Sequence, residues 1–188
     1  MNRKEAGDNV KVFSIVGISR SGKTTVAEAI IAELRRRNYR VGSVKDIHFE
    51  GFALDQEGTN THRHKMAGAE LVTARGLYET DVMFLSRLTI TEVLRFYDQD
   101  FVILEGAYDF KGPGLIAAVE ENEIDERRWD KVIAVTGRIA GRLQEYQGLP
   151  VINALTEVVR LTDLIEQTVS FWEEQPDWIG EDAHHAQA

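Results

Sequence analysis

Residues 17–24 read Gly-Ile-Ser-Arg-Ser-Gly-Lys-Thr, and what flanks them constrains the chain more than any other feature. Before them, residues 12–16 form a short apolar run rich in β-branched side chains, the pattern of a buried strand. After them the spacing turns helical over residues 23–37. Val26, Ala29, Ile30 and Leu34 share one face, and Arg35, Arg36 and Arg37 stand at the end where the helix dipole favours cations. Strand, glycine-bounded loop and helix are the context that the G-x-x-x-x-G-K-[ST] phosphate motif requires. Gly17 and Gly22 permit backbone geometry that a Cβ would obstruct, so successive N–H groups can point at phosphate oxygens at the helix start. Lys23 supplies a compact positive charge to the β and γ phosphates. Thr24 offers a hydroxyl to Mg²⁺ and Thr25 a donor to the α-phosphate, by analogy with other loops of this kind. Ser19, Arg20 and Ser21 complete the expected nucleotide-binding set. The alternative is an incidental lysine in a glycine turn, against which the flanking strand and helix argue.

The remaining pattern predicts an α/β fold, a P-loop nucleotide-binding domain with a mostly parallel central sheet flanked by helices. Residues 39–44 return as a strand, which makes the opening a βαβ unit. Residues 101–104 are four consecutive apolar side chains ending in Glu105-Gly106, the form of a central strand covered on both faces, and residues 132–135 repeat it. Residues 46–60 read as a loop or small hairpin, 61–69 as a short helix, 70–75 and 78–84 as strands about Gly76, and 90–97 as a helix. Residues 156–172 read as a closing helix, and a polar tail follows Pro176. The expected organisation is one domain over residues 1–175, with a possible insertion at about 46–60, followed by the tail.

Two carboxylates fall where a second acidic element serves such a site. Glu105, at the end of the buried run, is the candidate to hold Mg²⁺ directly or through water. Asp46, at the equivalent end of the second strand, is a candidate for the metal's water shell or for orienting an attacking water. With Lys23 these form the expected catalytic set, and with Thr24 the expected metal set. An exposed edge carboxylate and a loop-entry carboxylate are their respective alternatives. His62, Arg63, His64 and Lys65 concentrate positive charge on one helical turn, which suits a nearby anion or a solvated face. His48 stands alone, and His184 and His185 lack a third ligand at metal spacing, so no zinc site is read.

Composition narrows the partners. Twenty-two basic against 31 acidic residues give a formal net charge of −9, which repels a phosphate backbone and disfavours nucleic acid. No apolar stretch approaches the roughly 20 residues needed to span a bilayer, so no membrane partner is expected. The chain has no Cys, which is compatible with a reducing cytoplasm, and a cytoplasmic, soluble protein is expected.

The order of motifs carries more than the phosphate loop alone. Val16-Gly17 and Ser21-Gly22-Lys23-Thr24-Thr25 are followed by Gly42-x-x-Lys45, Asp55-x-x-Gly58, Arg63-His64-x-x-Ala67-Gly68-Ala69 and Val102-Ile103-Leu104-Glu105-Gly106. In these features the chain resembles the MobB family of molybdopterin-guanine dinucleotide biosynthesis proteins, over most of residues 12–171. The resemblance implies a homodimer that binds GTP with Mg²⁺, hydrolyses it slowly and assists attachment of GMP to molybdopterin beside a MobA-type nucleotidyltransferase. It also implies that Gly22, Lys23, Thr24 and Thr25 hold phosphate and metal, that Glu105 serves the metal, and that Arg63 lies near the nucleotide or cofactor. Asp46 stands where the family usually has His, Thr59-Asn60 where Lys-Asp is typical, and Tyr108-Asp109 where a basic residue is common. Each change removes or reverses a positive charge near the presumed anion pocket, and a paralogue serving another cofactor or metalloenzyme fits them as well.

Guanine preference is inherited from the resemblance, since the Asn-Lys-x-Asp signature is absent, and GTP and ATP both stay open. A small-molecule kinase using the same loop is the other alternative, although residues 46–60 contain no Arg to form a lid. Arg20 and Arg63 are the candidate arginine fingers.

Overall fold

The computed structural model describes residues 10–172, which fall into two compact units. Residues 47–93 form one, and the described residues on either side form the other.

The larger unit is built on β1 (Lys11–Val16), α1 (Lys23–Arg36), β2 (Val41–Lys45), β5 (Phe101–Glu105), β6 (Gly114–Ala117), α4 (Glu121–Arg127), β7 (Val132–Thr136) and α5 (Val158–Thr168). Its five strands pair in parallel in the order β2-β5-β1-β6-β7. The strand before the loop therefore lies directly beside the strand that ends in Glu105, with Ile15 opposite Glu105 in register. Phe13, Ile15, Ile103 and Leu115 pack with Val26, Ile30 and Leu34 of α1 and Leu161 and Ile165 of α5. Val16, Ile116 and Val135 join a second cluster with Ile124 of α4 and Ile139. Both faces are covered, which is why β1, β5 and β6 read as continuous apolar runs rather than alternating ones.

Charge ties the two outer helices together. Glu33 is buried on α1 and accepts from Arg36 at 2.7 Å and from Arg37 at 2.8 Å. Arg37 also donates to Asp163 and Glu166 of α5 at 2.7 Å each. The hydrogen bonds from Arg36 and Arg37 hold the Glu33 carboxyl at about 2, against an ordinary value of 4.5. The cationic end of α1 is thus partly a clamp.

Elements differ from expectation in instructive places. β6 was not foreseen, being only four residues after Gly112-Pro113. α4 and the 3-10 turn Arg138–Gly141 were not foreseen either, nor the short pair β8 (Glu145–Tyr146) and β9 (Leu149–Pro150). The closing helix is shorter than 156–172, because Phe171 bridges to Lys11 and the Trp172 N–H donates to the Val10 carbonyl at 2.6 Å. The predicted tail beyond Pro176, with His184 and His185, lies outside the described residues.

The unit of residues 47–93 holds α2 (Asn60–Met66) and the antiparallel hairpin β3 (Leu71–Arg75) and β4 (Thr80–Phe84), and α3 (Ile90–Leu94) begins at its end. Asp55 organises the start of α2. Thr59 and Thr61 donate to it at 2.7 and 2.8 Å, Lys65 pairs with it at 3.2 Å, and the Thr59 side chain in turn accepts the His62 N–H. The Thr59 bond, with Thr61 and Lys65, holds the Asp55 carboxyl at about 2. That gives the Asp55-x-x-Gly58 spacing a structural reason as an N-cap brace.

Candidate nucleotide site

The loop between β1 and α1 is shaped by three unusual backbone positions. Gly17 has φ +153°, Arg20 φ 63° and Gly22 φ 103°. A Cβ on Gly17 would stand 2.0 Å from the Ala117 carbonyl oxygen and 2.8 Å from Ser21 Oγ, so only glycine fits against β6. Gly22 caps α1 without a side-chain hydrogen bond, which leaves the first-turn amides without an internal acceptor. The loop is braced from a second direction. The Arg138 N–H donates to the Ser21 carbonyl at 3.1 Å, and a Cβ on Gly137, at φ +84°, would come within 2.6 Å of that same oxygen. Tyr108 donates from its hydroxyl to the Gly17 carbonyl at 2.6 Å.

Lys23 curls over this loop and donates to the carbonyls of Gly17 at 2.8 Å and Ile18 at 2.6 Å. An ammonium has three N–H donors, so one remains for an external acceptor. Burial lowers the pKa of Lys23, and Glu105 opposes that while Lys45 and Arg127 reinforce it. Lys23 and Lys45 thus both stand near Glu105 in a chain whose net charge is −9.

Thr24 and Glu105 meet directly, the hydroxyl donating to Oε1 at 2.7 Å. Lys45, at the end of β2, adds its ammonium to the same Oε1 at 2.6 Å and reaches Thr24 Oγ1 at 3.3 Å. Hydroxyl and carboxylate thus already share a cation.

A family model described as molybdopterin guanine dinucleotide synthesis protein B, MobB, matches residues 12–137. The chain belongs to the MobB family. It is 28% identical over 148 residues, 76% of this chain and 85% of the other, to a probable molybdopterin-guanine dinucleotide biosynthesis adapter protein of Bacillus subtilis. A shorter match, 38% over 65 residues, covers 35% of this chain and 36% of the corresponding adapter protein of Haemophilus influenzae. The crystal structure of Bacillus subtilis MobB has a TM-score of 0.70 at 24% identity, over 85% of this chain and 98% of that one. A MobB homolog from Bacillus stearothermophilus gives 0.63 at 21%, over 83% and 98%. At these identities the structural likeness speaks to the fold alone.

For this MobB-family chain, the structure brings Lys23 and Thr24, at the start of α1, together with Glu105, at the end of β5. Gly17, Ser19, Arg20, Ser21, Gly22 and Thr25 surround them in the loop and first turn. Ser21 is fully buried, and its Oγ has no hydrogen-bond partner among the described residues. Asp46 arrives beside Glu105 through its backbone, its N–H donating to the Glu105 carbonyl at 2.8 Å. Arg63 lies exposed on α2, in the unit of residues 47–93. Sequence reasoning missed the local work of Lys45, Tyr108, Arg127 and Gly137. The first two stand at strand-end motifs and were open to discovery, whereas Arg127 depends on an unpredicted helix.

Proposed function

We propose that this MobB-family protein binds GTP with Mg²⁺ in the loop between β1 and α1, hydrolyses it slowly, and acts as an adapter in molybdopterin-guanine dinucleotide synthesis. The names of the Bacillus and Haemophilus relatives support the adapter role. The observation that carries the nucleotide reading is the convergence of the Lys23 ammonium, the loop amides, and the Thr24–Glu105 pair at 2.7 Å.

The donor chemistry suits Mg²⁺ only in company with a nucleotide. Thr24 Oγ1 and Glu105 Oε1 are hard oxygen donors, and the described residues contain no cluster of three or more His, Cys, Asp or Glu able to cage a metal. One carboxylate plus phosphate oxygens and water is the usual way Mg²⁺ is held. When bound, Mg²⁺ neutralises charge on the β and γ phosphates. The chain's own residues do the rest. Lys23 and the first-turn amides position the phosphates, Glu105 and Thr24 orient the metal, and Lys45 neutralises Glu105 when no metal is held. Asp46 is assigned to the water shell beside Glu105.

Glu105→Gln is expected to keep the GTP affinity measured in EDTA within about threefold, while the gain in affinity on adding Mg²⁺ shrinks about tenfold, the effect of one charged contact. A titration calorimeter reads both. An unaltered Mg²⁺ dependence would remove Glu105 from the site.

The homodimer implied by the resemblance has a surface to use. Leu71 pairs with Phe84 and Thr73 with Val82 across the hairpin, and Leu71, Val82 and Phe84 on that shared face are exposed. A cluster of this kind suits burial against a second copy. Sedimentation is expected to give twice the chain mass, and Val82→Asp to return the monomer; a monomeric parent protein would contradict the assignment. The MobA-type partner and molybdopterin are assigned with the adapter role, and so is a cytoplasmic setting. No helix among the described residues is long and apolar enough to cross a membrane.

A further inference from the structure

A cavity of about 500 Å³ lies beside the phosphate loop and takes in the phosphate site itself. Gly22, Lys23, Thr24 and Thr25 line it from the loop and first turn, and Arg138 and Asn153 from later loops. Glu105 and Lys45 are not in its lining. Thr24 belongs to both groups, since it lines the cavity and its hydroxyl donates to Glu105 at 2.7 Å. In phosphate loops the hydroxyl at this position holds the metal that bridges the β and γ phosphates, so Lys45 stands at the γ end of a bound triphosphate.

Lys45 is pinned at its root and loose at its tip. It is paired with Glu105 in the β2–β5 register, and the following N–H, of Asp46, donates to the Glu105 carbonyl at 2.8 Å. The main chain is therefore held, whereas the side chain is 56% exposed and open to rotamer change. Its ammonium gives one N–H to Glu105 Oε1 at 2.6 Å and reaches Thr24 Oγ1 at 3.3 Å. These are the two oxygens assigned to Mg²⁺, so Lys45 and the metal draw on the same lone pairs. An ammonium moved off them stays tethered within the reach of its four-carbon stem, where the oxygens of the metal-bound phosphates are the next acceptors. Lys23 and the loop amides already serve the β-phosphate, while the γ-phosphate is terminal and has oxygens to spare.

We propose that Lys45 reads the γ-phosphate, its ammonium leaving the Thr24 and Glu105 oxygens and donating to a terminal γ oxygen, and so sets a preference for nucleoside triphosphate over diphosphate. This rests on the nucleotide reading above and adds the residue that tells the two nucleotide states apart. A diphosphate offers no terminal acceptor at that place and leaves Lys45 in competition with Mg²⁺ for Glu105.

The test is calorimetric titration of the full chain and of Lys45→Met, each with Mg²⁺ and either GDP or the β,γ-imido analogue of GTP, which is not cleaved during the measurement. The ratio of triphosphate to diphosphate affinity is expected to fall about tenfold in Lys45→Met, the loss of one charge-assisted hydrogen bond. Circular dichroism checks that this exposed substitution leaves the fold intact. The same pair of titrations on Glu105→Gln and on Lys45→Met/Glu105→Gln separates a phosphate contact from simple neutralisation of Glu105. With no charge on residue 105 to neutralise, the ratio is still expected to fall about tenfold when Lys45 is removed. A ratio unchanged within about twofold on either background overturns the assignment of Lys45 and leaves the phosphate site standing. Failure of the parent protein to bind either nucleotide overturns both.

Discussion

Lys23→Ala is expected to weaken Mg²⁺–GTP binding about a hundredfold or more, equivalent to roughly 3 kcal/mol, while the fold survives. The two consequences separate because the lysine acts within the loop. Among the described residues its ammonium bonds to the carbonyls of Gly17 and Ile18, and it takes no part in the apolar clusters on either face of the sheet. Removing it also removes the charge that burial already disfavours, so the empty protein loses little. Calorimetry with GTP reads the affinity and circular dichroism the fold. Unchanged affinity in a folded variant would contradict the role given to Lys23.

Gly17→Ala is expected to act in the opposite way, through the fold itself. The added Cβ would sit 2.0 Å from the main-chain oxygen of Ala117 and 2.8 Å from Ser21 Oγ, at a backbone φ of +153°. Relief is not available from a side-chain rotation alone. Ala117 belongs to β6, which is paired to both β1 and β7, so the sheet would have to part or the loop unwind. A cost of about 3 kcal/mol or more is expected, which for a chain of this size lowers the melting temperature by about 10 °C. Gly141→Ala is the control, because nothing lies within 4 Å of its added Cβ. Thermal unfolding followed by circular dichroism compares the two. Equal melting temperatures would mean that the approach of the loop to β6 is looser than described.

What could be read from the sequence was local or strongly patterned. The loop, its strand and its helix lie within residues 11–36, and the motif demands the very elements that β1 and α1 provide. The position of Glu105 was legible because a four-residue apolar run ending in an acid reads as a buried strand that ends at a carboxylate, and β1 and β5 are neighbours. The family was legible in the spacing of several short motifs rather than in the phosphate loop alone.

What escaped depends on residues far apart in the chain. β6 is buried by β1 and β7, and its four residues carry no period of their own. Lys45 looked like a strand end, and its contact with Glu105 exists because β2 pairs with β5. Lys65 belonged to a basic cluster read as near an anion or as a solvated face, yet it pairs with Asp55, ten residues earlier in the same unit. The cavity beside the loop is assembled from segments more than a hundred residues apart, so no single local pattern in the sequence marks it.

The central claim is that main-chain amides at the start of α1, with Lys23, capture a nucleotide triphosphate whose metal is shared by Thr24 and Glu105. Its most direct test is calorimetric titration of the unaltered chain with GTP, once with Mg²⁺ and once with EDTA. One molecule of GTP bound per chain, more tightly with Mg²⁺ than without, is the predicted result. No detectable binding at millimolar GTP in either buffer, from a folded protein, would contradict it.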